Sequence, residues 1–445
     1  MKIRQALSIL FISLFVLSCS KSDEAEEVVA GVPSAYAAAK LTNDGFTANW
    51  TRVYHADKYL VDVSTKADFS TFLPNYNALS VTALTVDISG LTAGVSYYYR
   101  VRAVRGALIS AFSNVITAEI LSTGPEPTTA LKDVANFNVG MIVRSSKLTG
   151  QTSDIILREF DNITSEYEMK MDKMYPSNGT YDFVAVDKIV KYATDNNLNL
   201  HGHALIWHNA TPDWVTKFSG TNAEFETMVK GYITTVVTRY KGKIKSWDVV
   251  NEAVEDGSNT LRNSIFRQKM GDDYIKKCYQ WARDADPACK LFYNDYNFAS
   301  NAGKRAAIFK IADDLKVNNL IDGLGAQMHI SYKSPAASDI QAVVNGTVSR
   351  NLLMHFSELD IQANPDNNMT TLTPERAIEQ KNKYKEVVKI FNAIPKANQY
   401  ALTVWGLRDS ESWLISFWGH ADWPLMYNDD YSAKKAHTGF LEGLK

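Results

Sequence analysis

Between residues 130 and 445 the chain alternates short apolar runs with helical stretches, and this alternation constrains the fold most. Apolar runs fall at 137–143, 198–207, 244–251, 290–294, 321–327, 352–359 and 399–405. With the segment 160–169 they make eight candidate strands. Helical periods at 182–197, 223–240, 272–285, 302–317 and 374–391 fall between them. Near-continuous apolar runs suit strands covered on both faces. Eight strand-then-helix units predict an α/β fold, a (β/α)8 TIM barrel. No stretch repeats another in sequence, which argues against a solenoid.

At 445 residues the chain has room for a second domain ahead of the barrel. Residues 31–121 read differently, as short alternating runs at 46–50, 58–63, 84–88 and 97–104 separated by turn residues. That pattern predicts an all-β sandwich. With Trp50 on an early strand, Leu91 before a turn at Gly94, and Tyr97 where a tyrosine corner would sit, the unit resembles a fibronectin type III domain of the immunoglobulin-like class. A spacer or docking module is the expectation for it, with glycan binding as the alternative. Residues 122–129 (STGPEPTT) read as a linker, extended by their prolines.

The first residues read as a targeting segment. Lys2 and Arg4 precede an apolar run at 6–17, too short to span a bilayer comfortably. The run ends in Val16-Leu17-Ser18-Cys19, which resembles a bacterial lipobox. The resemblance implies a lipoprotein signal peptide at 1–18, lipidation of Cys19 and a polar tether at 19–30. The protein would then be a membrane-anchored lipoprotein of the cell envelope, at the outer membrane, either periplasmic or surface-exposed. A plain signal peptide with an incidental cysteine is the competing reading. Cys278 and Cys289 remain, and two inert core thiols are preferred over a disulfide.

The chemistry gathers at the ends of the candidate strands. Glu252 closes Trp247-Asp248-Val249-Val250-Asn251-Glu252, and Glu358 lies in Met354-His355-Phe356-Ser357-Glu358-Leu359-Asp360. A carboxyl after a buried strand is costly, because lost solvation opposes its charge. Glu166 and Lys170 follow the second run, His203 and Trp207 the third, and Asn294-Asp295-Tyr296 the fifth. Gln327 and His329 follow the sixth, Asp360 the seventh, Trp405 and Trp413 the eighth. A lone Asn-Glu after a strand is an ordinary structural ion pair, and a lone tryptophan is ordinary core. Polar groups at seven consecutive strand ends predict a lined cleft. Two carboxyls in an aromatic-lined cleft suit cleavage of a glycosidic bond. Asp248 and Asn294 read as structural, and Asp295 is left open.

Other classes fit less well. A net charge of −2 with no basic stripe argues against a nucleic-acid partner. His201 and His203 form an HxH pair of the kind that holds zinc in some barrels, yet the pair lies on the third run. No metal or cofactor is expected. Aromatics at 11% suit both a barrel core and sugar stacking.

The order WDVVNEA, NDYN, GLGAQMH, SELDI and WGLRDSESW resembles glycoside hydrolase family 10, whose main activity is endo-1,4-β-xylanase. The resemblance spans residues 130–445. It implies Glu252 as general acid/base and Glu358 as nucleophile of a retaining reaction. It implies that Asn251 bonds a sugar hydroxyl and that His329 holds Glu358, with Asp360 behind it. Gln327, His203, Trp207 and Lys170 would line the reacting subsite, Glu166 the one beyond, and Trp405 and Trp413 its walls. The substrate is expected to be a polysaccharide, xylan or a related β-glycan, acted on by a monomer. Tyr167 stands where the family usually has asparagine and His201 where arginine is common, so a decorated xylan or another β-glycan competes as substrate. A degenerate, non-catalytic surface glycan-binding protein is the third reading.

Overall fold

The computed structural model describes residues 31–120 and 129–445. The expected signal segment, Cys19, the tether and all of the linker but residue 129 lie outside the described residues. The chain divides into two compact units.

The first unit is built of two antiparallel sheets. Gly45–Asn49 pairs with Thr85–Ser89 in one. In the other, Lys58–Ser64 lies between Leu79–Val81 and Ser96–Arg105, which also pairs with Leu108–Ile109 and Ile116–Glu119. From Ser96 to Ala103 half-buried and buried residues alternate with period two, so one face packs inward and the other is partly open to water. Phe46, Trp50, Tyr59, Val61, Tyr99 and Val101 fill the core. All four runs read as strands from the sequence form strands.

The second unit is a closed barrel. Its strands in chain order are Asn138–Val143, Asn162–Ser165, Asn199–Gly202 (continued by Ile206–Trp207), Ser246–Asn251, Lys290–Asp295, Gly323–Ala326, Leu353–Gln362 and Gln399–Val404. Each pairs in parallel with the next, and the last pairs with the first, so no sheet edge is left open. The strands are buried on both faces; Ser246–Asn251 is buried at every position. Helices Val184–Asp195, Asn222–Arg239, Tyr274–Ala285, Ala302–Lys316 and Pro374–Asn392 cover the outside, within two residues of the sequence expectation. Asn222–Arg239 starts with a full capping box between Thr221 and Glu224, which satisfies free backbone N–H groups at its first turn. Cys278 and Cys289 are unpaired and buried, and burial pushes the Cys289 thiol up to about 12. Among the described residues no helix is long and apolar enough to cross a membrane.

Two irregularities aim the glutamates. In the seventh strand Phe356 pairs with Leu402 but Leu359 with Val404, so Ser357-Glu358 stands as a bulge opposite one residue. A bulge turns a side chain out of the regular alternation. In the fourth strand a similar shift falls between Asp248 and Val250. Just past its end, Glu252 takes a left-handed φ of 55°, uncommon for a residue with a Cβ.

Candidate active site

Glu358 is buried, and both its oxygens accept hydrogen bonds. Asn294 Nδ2 donates to Oε1 at 2.6 Å, and His329 Nε2 lies 3.1 Å from Oε2. The other imidazole nitrogen, Nδ1, lies 2.9 Å from Asp360 Oδ2, which also accepts from Trp413 Nε1 at 2.9 Å. Burial opposes charge on this imidazole, yet Asp360 and Glu358 together raise it to about 10. A protonated ring at neutral pH donates from both nitrogens. Burial works to raise the Glu358 carboxyl as well. The His329 hydrogen bond, the nearby His203, the His329 charge and the Asn294 bond outweigh it and hold Glu358 below the usual glutamate range.

Glu252 is held by neutral donors. Trp207 Nε1 donates to Oε2 at 2.8 Å, Gln327 Nε2 to Oε1 at 2.9 Å, and Asn251 Nδ2 to Oε1 at 3.3 Å. The same Asn294 amide that reaches Glu358 also donates to Asn251 Oδ1 at 3.0 Å. A continuous chain of side-chain hydrogen bonds therefore joins the two carboxyls. Asn294 is aligned with Asn251 in the strand register, and Ser357 Oγ fixes its carbonyl oxygen at 2.6 Å. The structure thus adds to the reading of Asn294 as structural: its amide touches Glu358 directly.

The strained backbone at Glu252 is clamped from both sides. Its N–H donates to Asn294 O and its carbonyl accepts from Arg262 Nε, both at 2.9 Å. Arg262 also donates to the Tyr296 hydroxyl, Tyr296 bonds Asp256, and Lys304 bridges Asp256 at 3.0 Å and Asp295 at 2.9 Å. Tyr293 closes the ring: its hydroxyl donates to Asp295 at 2.7 Å and accepts from Ala253 N–H at 2.9 Å. Burial pushes the Asp295 carboxyl up to about 7, against the pull of Lys304 and Tyr293. Asp295, left open by the sequence, belongs to this backbone clamp.

His203 Nδ1 lies 2.9 Å from Asp248 Oδ2, and His201 Nε2 approaches the same oxygen at 3.0 Å. His201 is fully buried and also bonds Ser246, so it faces no ligand, unlike the expectation that it tunes specificity. The HxH pair is thus turned onto a carboxylate within the barrel. Trp405 packs edge-on to His203 at 5.5 Å and to His329 at 6.1 Å, while the Trp413 ring lies 4.9 Å from His329. Lys170 is buried with its ammonium 4.7 Å from the Trp207 ring centroid. Burial lowers it, opposed by the charges of Glu358, Glu166 and Glu252.

The first strand's end, to which the sequence assigned no polar residue, carries Arg144. Its guanidinium forks onto Glu166 at 2.5 and 2.7 Å and lies over the Tyr167 ring at 4.9 Å. Tyr167 is 40% exposed, the open side of this corner. A charged residue directly after an apolar strand was the signal that could have found Arg144.

Two hydrogen-bonded glutamates at the top of a (β/α)8 barrel, one beside a cation and one among neutral donors, form the constellation of a glycoside hydrolase. The Glycosyl hydrolase family 10 model matches residues 129–442, and the chain belongs to that family. It is 33% identical over 347 residues to endo-beta-1,4-xylanase Xyn10C of Cellvibrio japonicus, covering 71% of this chain. It is 34% identical over 316 residues to an endo-1,4-beta-xylanase of Geobacillus stearothermophilus, covering 68% of this chain and 94% of that protein. The family 10 structure from Paenibacillus barcinonensis superposes with a TM-score of 0.68 at 30% identity, over 71% of this chain and 97% of that one. The chain spans 57% of Xyn10C and 56% of endo-1,4-beta-xylanase A from the same species.

Proposed function

We propose that this chain is a retaining endo-1,4-β-xylanase that cuts internal bonds of xylan by double displacement. The observation that carries the reading is the unequal support of the two glutamates. Glu358, held ionised by His329 and Asn294, attacks the anomeric carbon and forms a glycosyl ester. The glycosidic C–O bond breaks, and Glu252 delivers its proton to the leaving oxygen. Water then attacks the ester, Glu252 takes the water's proton, and Glu358 is released. Asn251, Gln327, His203, Trp207 and Lys170 surround the reacting sugar, with Trp405 and Trp413 as apolar walls. The Cellvibrio and Geobacillus relatives named above, all xylanases, support xylan as the substrate class.

The test is product profiling of the full chain on linear xylan, arabinoxylan, mixed-linkage glucan and cellulose. A ladder of short xylo-oligosaccharides, lost in Glu358→Ala, is expected. Full activity in Glu358→Ala would overturn the assignment.

A second reading, a decorated xylan or another β-glycan as preferred substrate, is favoured by the Arg144–Glu166–Tyr167 corner. Both Glu166 oxygens are already taken by the guanidinium, and an exposed phenol stands beside them. The same product panel separates the two.

The remaining parts of the proposal rest on sequence pattern. Residues 31–121 form a fibronectin type III-like spacer, supported by two antiparallel sheets, and residues 130–445 the catalytic domain. Cys19 carries the lipid that holds a monomeric enzyme at the cell envelope, supported by the lipobox-like Val16-Leu17-Ser18-Cys19. Radiolabelled palmitate incorporation, lost in Cys19→Ala, tests the anchor.

A further inference from the structure

The short helix Trp413–Trp418 carries more aromatic surface than the two glutamates use. Its sequence, WLISFW, has no charge, and only Leu414 is buried. Trp413 starts the helix and is fixed to the site through Asp360 and His329. One turn on, Phe417 packs against Trp413 at 5.0 Å, the i,i+4 spacing that places two side chains on one face. Trp418 meets Phe417 edge-on at 4.9 Å. Gly419, at a left-handed φ of 70°, then ends the helix.

The rings thus form a ladder of near-equal steps running from His329, which touches Glu358, out to solvent. The half-buried Trp413 leads to two exposed rings, Phe417 at 62% and Trp418 at 54%. They are the one adjacent pair of exposed large apolar residues among the described residues of the barrel. An exposed aromatic patch continuous with a cleft marks an interaction surface. Ring faces carry negative quadrupole charge and suit the C–H faces of pyranoses.

We infer that Phe417 and Trp418 form a stacking platform for a β-1,4-linked glycan chain, beyond the sugars that reach the two glutamates. This rests on the reading of the chain as a glycan hydrolase and deepens it: the site is built for long chains.

The test is calorimetric binding to the full chain carrying Glu358→Gln, so that no ligand is consumed. Ligands are tri- and hexasaccharides of β-1,4-xylan, β-1,4-glucan and β-1,4-mannan. Adding Phe417→Ala and Trp418→Ala is expected to weaken binding of at least one hexasaccharide about tenfold, far more than its trisaccharide. Adding Phe417→Tyr and Trp418→Tyr instead keeps the rings and restores the hexasaccharide. Equal losses for both lengths, no loss, or no binding of any hexasaccharide overturns the platform. So does Trp418 fluorescence that responds to phosphatidylethanolamine–phosphatidylglycerol vesicles and to no glycan. The two readings fail separately. A chain that cuts no glycan yet shows the length contrast loses its catalytic assignment only, and one that cuts xylan without the contrast loses only the platform.

Discussion

The two glutamates share one cleft and a continuous hydrogen-bond chain, yet their supports differ in kind. Glu358 sits in a strand bulge against His329, an imidazole that Asp360 and Glu358 itself keep protonated. Glu252 sits past a strand end, in a strained backbone held by a ring of hydrogen-bonded residues, and its carboxyl meets only neutral donors. The Glu358 corner spends its polar groups on the charge of a side chain; the Glu252 corner spends them on the position of a backbone. A nucleophile must stay ionised, whereas an acid/base must gain and lose a proton without moving. The same barrel supplies both by changing what lies behind each carboxyl.

Removing each glutamate tests the contrast most strongly. Glu358→Ala is expected to lower kcat by roughly 10⁴-fold or more on every substrate. Glu252→Ala is expected to cost about 10²- to 10⁴-fold on xylan. On an aryl xylobioside with a good leaving group the Glu252→Ala loss shrinks, because departure then needs no proton. Equal losses on both substrates would erase the distinction.

His329→Gln sharpens the comparison next. A charged hydrogen bond is lost beside a buried carboxylate, so kcat should fall about 10- to 100-fold. The pH dependence of stability has a definite sign. The folded imidazole titrates near 10 against an ordinary 6.5, so its contribution is complete below 6.5 and fades as pH rises toward 10. Glu358, shifted down, contributes above the ordinary 4.5 and loses that contribution as pH falls. Thermal melts from pH 6 to 10 should therefore drop more steeply in the native protein than in His329→Gln.

Asn294→Ala removes one donor to Glu358 and one to Asn251. About a tenfold loss in kcat is expected, with little change in KM, as checked by steady-state kinetics. The smallest effect belongs to Tyr167→Asn, which opens the corner beside Arg144. It should change the ratio of kcat/KM on linear and decorated xylan a few-fold, leaving the two glutamates' assignments untouched.

Much of this was legible in the chain. The barrel strands and the five named helices fall within a few residues of their expected bounds, because a doubly covered strand and an amphipathic helix each impose a period. Helix Gly150–Glu159 carries a weaker signal. In its first turn, Gly-Gln-Thr-Ser, only the glutamine favours a helix, and packing of Ile155 and Ile156 decides it. The glutamates and most of their partners stand at strand ends, where sequence position predicts convergence. Asn294 and Arg144 were not assigned to the site. Asn294 is unremarkable alone, and only strand register brings it level with Asn251; Arg144 carries a signal as a charge after an apolar run, but nothing local pairs it with Glu166. The clamp behind Glu252 draws on four separate segments, and no local pattern announces it.

The central claim, that Glu358 is the nucleophile and Glu252 is not, is tested most directly by trapping. The full chain is incubated with a 2-deoxy-2-fluoro-xylobioside bearing a good leaving group, and its peptides are analysed by mass spectrometry. A fluoroglycosyl ester on Glu358 is the predicted result. A label on Glu252, or turnover of natural substrate with no label at either glutamate, would contradict it.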